Sequence, residues 1–136
     1  SIYGSYAHSL KAEAVEGTYD DVTGLRTADL VAPNHPTDSY NLWGRYNKEI
    51  LGKRGLLGFT LGLNGMTERT TFYDDDNLPG YTVFDGGIYL DYMQIGISFI
   101  MNNLTDEKYF VGGYGNRVGA WRGKPRSFET RVTFTF

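Results

Sequence analysis

Six stretches of this sequence alternate apolar with polar residues, and the connections between them alternate long with short. The final stretch, SFETRVTFTF, shows the first pattern. Phe128, Thr130, Val132, Phe134 and Phe136 share one parity, and Ser127, Glu129, Arg131, Thr133 and Thr135 share the other. Side chains on a strand alternate between faces with period two, so this segment has one apolar and one polar face. Five more segments read as strands, at about 2–14, 39–47, 56–71, 80–90 and 93–104. In the third, Leu57, Phe59, Leu61 and Leu63 lie opposite Gly58, Thr60, Gly62 and Asn64. In the fifth, Met93, Ile95, Ile97, Phe99 and Met101 lie opposite Gln94, Gly96, Ser98 and Asn102. Several segments run to about ten residues, long for a globular strand and right for a tilted strand crossing a bilayer.

The connections constrain the topology further. A long one covers about 15–38, and a short one follows at KEILGKRG. Next come a long one at FYDDDNLP, a tight one at Asp91-Tyr92, and a long one from Thr105 to Pro125. An antiparallel meander that crosses a membrane has long loops on one side and tight turns on the other. The aromatic residues cluster near segment ends. Tyr40, Trp43, Phe72, Tyr73, Tyr81 and Phe128 fall at the long-loop end, and Tyr46, Tyr89, Tyr92, Phe134 and Phe136 at the short-turn end. Rings at those levels suit the headgroup region of a bilayer. The same pattern also fits a soluble β-sandwich with half-buried tyrosines.

Composition narrows the function classes. Eighteen glycines against 4 prolines, with 15% aromatic residues, favour strands and turns over a helical bundle. A net charge of -3 argues against nucleic-acid binding, which uses a basic stripe. With no cysteine there is neither a disulfide framework nor a thiolate metal site. No apolar run approaches the ~18 residues of a membrane-spanning helix. The negative mean hydropathy is compatible with a barrel, whose inward half is polar. There is no nucleophile elbow, Walker loop or usefully spaced carboxylate pair, so neither an enzyme nor a cofactor is expected. His8 and His35 lie far apart without a third ligand, and Asp74, Asp75 and Asp76 lack EF-hand spacing and read as a solvated loop tip. The chain begins at Ser1, without a methionine or a signal peptide, so it is expected to be processed or part of something longer.

Six strands cannot close a membrane barrel alone, since single-chain barrels start at about eight. Each unpaired backbone group in hydrocarbon costs several kcal/mol, so two bare edges would cost on the order of tens of kcal/mol. That exceeds the ~5–15 kcal/mol by which folded proteins are stable. The barrel reading therefore requires further strands, from the same polypeptide or from another chain.

Four motifs, in order, carry a family resemblance. PNHPTDSYNLWGRY supplies His35, Leu42 and Trp43, and LPGYTVFDGGIYL supplies Pro79, Tyr81 and Asp85. ISFIMNNLTDEKYF supplies Asn102, Asn103, Leu104, Asp106 and Tyr109, and GKPRSFETRVTFTF supplies Pro125, Arg126 and Phe136. Together they resemble the C-terminal end of TonB-dependent outer-membrane receptors, and VGGYGNR is similar to the ferrichrome and hydroxamate-siderophore members. The resemblance implies an all-β fold, with residues 1–136 an antiparallel meander of about six strands. These would form the C-terminal part of a transmembrane β-barrel of about 22 strands. It also implies a bacterial outer-membrane location and uptake of a ferric siderophore. The implied partners are outer-membrane lipid, the rest of the barrel with its plug, TonB acting through an N-terminal part, and the barrel assembly machinery. Phe136 matches the terminal aromatic that this machinery is thought to recognise. A structural barrel component without uptake and a soluble β-sandwich binding module remain as alternatives.

Particular residues are expected at particular places. Asn102, Asn103 and Asp106 should form a polar knot where the chain leaves the bilayer, because Asx side chains bond nearby backbone N–H groups. Asp85, Glu129 and Arg131 should face the lumen, paired across strands. Tyr114, Arg117, Trp121 and Arg122 in the last long loop are the candidate ligand contacts. Rings and guanidiniums suit a flat, oxygen-rich ferric chelate.

Overall fold

The structure, a computed structural model, describes residues 1–9, 33–52, 54–71, 77–115 and 119–136. The acidic run Asp74–Asp76, the aromatics Phe72 and Tyr73, and Arg117 lie outside the described residues. So do residues 10–14 of the expected first strand, and the side chain of Tyr114.

Six strands form one antiparallel sheet. They are β1 (Ile2–His8), β2 (Asp38–Ile50), β3 (Gly55–Met66), β6 (Tyr81–Tyr92), β7 (Ile95–Asn102) and β10 (Ser127–Phe134). Their order is β1-β2-β3-β6-β7-β10, a meander without crossovers. Two small ribbons interrupt it: β4 (Arg69–Thr70) with β5 (Asn77–Leu78), and β8 (Phe110–Gly115) with β9 (Gly119–Arg122). The connections 9–37, 67–80 and 103–126 all leave one end of the sheet, and the short turns 51–54 and 93–94 close the other. The alternation expected from the sequence is present.

Several boundaries differ from expectation; β2 runs on to Ile50, and β7 ends at Asn102. The tight turn lies at Met93-Gln94, not at Asp91-Tyr92: Asp91 still pairs with Gly96, and Tyr92 with Ile95. Met93 takes a φ of 52°, a position where hairpins usually carry glycine. The third strand stops at Met66, and Arg69 and Thr70 belong to the separate ribbon.

Register assigns the faces. One transverse row reads Ile2, Gly44, Leu61, Gly86, Met101 and Phe128, and the next reads Tyr46, Phe59, Ile88, Phe99 and Thr130. On this face Leu61 and Phe128 are each 60% exposed. Phe99 and Phe128 stack at 5.9 Å. The opposite face carries Asn41, Arg45, Asn64, Asp85, Ser98, Glu129 and Arg131. Element contacts follow sheet order, and the two small ribbons lie against each other, with β5 beside β8. No second layer covers the apolar face among the described residues.

The aromatic assignment needs one correction. Tyr40, Tyr46, Tyr92, Phe128 and Phe134 do lie on the apolar face, but Trp43, Tyr81 and Tyr89 have the opposite parity and lie on the polar one. There Trp43 and Tyr89 cover glycines of the neighbouring strand. A Cβ at Gly62 would overlap the Trp43 indole, and one at Gly58 would overlap the Tyr89 ring. The Tyr89 hydroxyl bonds Asn47, and Arg45 Nε donates to it at 2.6 Å. At Gly44, by contrast, the nearest atom to an added Cβ is Leu61 O at 3.8 Å.

Valine is a better strand former than glycine, so propensity alone predicts gains at both positions. The packing predicts otherwise at one of them. Gly62→Val should lower the urea-unfolding stability in detergent micelles by about 1–3 kcal/mol through overpacking against Trp43. Gly44→Val should stay within about 0.5 kcal/mol of the parent.

Candidate functional site

The polar knot forms where β7 ends, and Asn103 is its centre. This residue is 1% exposed and has a φ of 51°. Asn is one of the few non-glycine residues that visit this region, because its short side chain bonds locally. Asn103 Nδ2 donates to the carbonyls of Glu107 at 2.9 Å and Lys124 at 3.0 Å, and its Oδ1 accepts from the Glu107 N–H at 2.8 Å. These bonds hold both arms of the last long loop together. The Asn103 N–H donates to Asp85 Oδ1 at 2.8 Å, while Asn64 Nδ2 donates to Asp85 Oδ2 at 3.3 Å. The carboxylate expected to line the lumen therefore also ties the loop to the sheet. Asp106 joins through the Arg126 N–H at 3.4 Å and the Arg126 guanidinium at 3.8 Å. Asn102 has a lesser part, donating to Ser127 Oγ at 3.4 Å across the strand pair.

Glu129 and Arg131 lie on the polar face as expected, but they pair along their own strand, at 3.0 Å, and not across strands. Residues two apart on a strand share a face, which permits this contact. Phe136 follows β10 and is fully exposed.

Of the four candidate ligand contacts, two can be placed with their side chains. Trp121 and Arg122 are neighbours on β9, so they point to opposite faces of the ribbon. Trp121 is 61% exposed and packs its ring over Gly112. Arg122 lines an open cleft of about 420 Å³ with Asp106, Glu107, Lys108, Tyr109, Phe110 and Pro125. That volume is on the scale of small-molecule sites, about 300–1,000 Å³. Its lining carries two cations, two carboxylates and two rings, so the charges balance, and the rings and guanidinium suit a flat, oxygen-rich ligand. The sequence grouped Trp121 with Arg122, but the structure does not bring them to one surface.

Three further residues lie near the cleft, and two of them, Asn34 and Arg69, carry no obvious sequence signal. Asn34 donates through Nδ2 to Gly113 O at 3.0 Å, accepts from the Gly113 N–H at 2.9 Å, and donates its backbone N–H to Thr70 O at 2.8 Å. Arg69 is 2% exposed and reaches the carbonyls of Phe110 and Val111. The Tyr81 ring packs against that of Tyr109, tilted by 41°, with centroids 4.3 Å apart. The ends of all three long connections thus meet over one end of the sheet. Among the described residues no three His, Cys, Asp or Glu side chains are grouped to hold a metal ion.

Asn103 gives the sharpest test of this arrangement. Asn103→Ala removes the bonds to the Glu107 N–H and to the Glu107 and Lys124 carbonyls and keeps the left-handed φ, and should cost about 1–3 kcal/mol. Limited proteolysis should cut the 103–126 loop faster in the variant while the sheet strands stay protected.

No family model matches the sequence, and no curated protein matches it. Among solved structures, the chain is similar to the crystal structure of the siderophore receptor PiuA from Acinetobacter baumannii, at a TM-score of 0.75 and 21% identity. The likeness covers 98% of this chain and 19% of the receptor chain, so this chain spans about a fifth of that length. At this identity the likeness is one of fold: a six-stranded antiparallel sheet matching a segment of a receptor β-barrel.

Proposed function

We propose that the chain is the C-terminal wall segment of a TonB-dependent receptor for ferric siderophores in the bacterial outer membrane. The observation that carries this reading is the bare apolar face. Leu42, Phe59, Leu61, Ile88, Ile97 and Phe128 are all at least 42% exposed on it. Monomeric soluble proteins rarely leave a contiguous apolar patch beyond a few hundred Å² uncovered. Here the apolar residues run across all six strands. On β3 they run from Leu57 to Leu63, about 20 Å at 3.3 Å per residue, close to the ~25 Å apolar band of an outer-membrane barrel. Tyrosines and phenylalanines flank the band on the same face, as headgroup-level rings do.

Three further features support it. Each outer strand, β1 and β10, has one neighbour, as in a wall that continues on both sides. The long connections gather at one end over the polar face, where a ligand would arrive. The fold matches a segment of a siderophore receptor. In this reading the work is transport and not bond chemistry. The strands seal lipid from lumen, and the loop cleft with Arg122 contributes to chelate recognition. A plug and TonB act through other parts of the protein.

Two experiments test the reading. In the complete barrel, Leu61→Arg places a charge in the lipid band and should cost about 2–4 kcal/mol, whereas Thr60→Arg on the polar face should cost little. Recovery of both variants from plain buffer without detergent would instead support a soluble module. Under iron limitation, growth on ferric hydroxamates should depend on the protein, and Arg122→Gln should weaken chelate binding by about 1–2 kcal/mol. Unimpaired growth without the protein on every chelate tried would favour a wall component that takes up nothing.

A further inference from the structure

We propose that Arg69 is a positioning residue that locks two of the outer loops into one unit and so fixes the wall of the Arg122 cleft. The proposal deepens the receptor reading and rests on it for its ligand arm alone. Arg69 begins the β4–β5 ribbon of the 67–80 connection, yet its partners belong to the next long loop. Nη1 donates to Val111 O at 3.0 Å and Nη2 to Phe110 O at 2.6 Å. Successive carbonyls on a regular strand point in opposite directions, so one guanidinium cannot ordinarily take both. The β8–β9 pairing slips between Phe110 and Gly112, and bulges of this kind re-aim backbone groups. The planar fork of arginine then reaches the two oxygens together.

The guanidinium also lies 5.7 Å from the centre of the Tyr81 ring, which itself packs at a tilt against Tyr109. Tyr109 and Phe110 line the Arg122 cleft. The lock thus holds the cleft from behind: it grips the backbone at Phe110 while the rings brace the floor. Arg69 is 2% exposed, so this is a buried cation held by carbonyls and a π-face among the described residues. Burying a cation is costly unless it is well bonded, and this one has been placed where it joins two loops that share no strand pairing.

The test compares wild type, Arg69→Met and Arg69→Lys in the complete barrel. Amide exchange is measured over 108–113 and over β6, β7 and β10, and the affinity for ferrichrome and for a ferric catecholate is measured alongside. Arg69→Met should speed exchange over 108–113 at least tenfold and leave the three strands unchanged. Arg69→Lys should fall between, because an ammonium cannot fork to both carbonyls. Chelate affinity should fall at least tenfold for Arg69→Met with the maximal uptake rate preserved. Unchanged exchange over 108–113 would overturn the lock, and faster exchange with unchanged affinity would overturn its positioning role. Should Arg69→Met fail to assemble, Arg69→Lys is read by the same criteria. If the wild-type protein binds neither chelate, the receptor reading falls, and the exchange arm still decides whether the lock exists.

Discussion

Every backbone N–H and C=O in this sheet must find a partner, and in hydrocarbon it can find one only on a neighbouring strand. The four inner strands, β2, β3, β6 and β7, meet that requirement on both sides, whereas β1 and β10 meet it on one. This constraint explains the meander. Successive strands pair with their sequence neighbours, tight turns join them at one end, and longer excursions are confined to the other. The same constraint underlies the proposed wall: among the described residues the apolar face has no second layer, and β1 and β10 each keep one edge that lipid could not satisfy.

Stability is accordingly distributed in an unusual way. The buried apolar side chains, Leu78 and Val83 among the described residues, sit at the loop end and not in the middle of the sheet. Buried polar residues gather there too: Arg69, Thr71 and Asn103. The central sheet is held by its hydrogen-bond ladder and by rings laid over glycines, as with Trp43 over Gly62. The loop end is held by polar networks that reach far along the chain, such as Asn34 to Gly113. In the proposed receptor, such a pre-arranged loop cluster would lower the ordering cost of binding a ligand.

Much of this was legible in the sequence because the signals are local. Period-two alternation located all six strands, and loop lengths gave their order. The Asn-Asn-Leu-x-Asp pattern revealed the knot, since Asx side chains bond their near neighbours. Legibility ended where geometry depends on distant residues or on parity over irregular backbone. The turn was placed at Asp91-Tyr92 because Met93 occupies a left-handed position without the glycine that would advertise it. Trp43 and Tyr89 looked like headgroup rings by their distance from strand ends, but parity puts them over glycines on the polar face. Trp121 and Arg122 looked like partners because they adjoin, and adjacency on a strand is what separates them. Arg69 gave no sign of its role, since its contacts depend on a bulge 41 residues away.

The central claim is that one face of this sheet meets lipid and the other meets water. The sequence contains no cysteine, so single cysteines can be introduced along β3 of the membrane-embedded protein and challenged with a water-soluble, membrane-impermeant maleimide. The account predicts rapid labelling at positions 60 and 64 and protection at 57, 59, 61 and 63. Equal labelling at the leucine and phenylalanine positions, or protection on both faces, would contradict it.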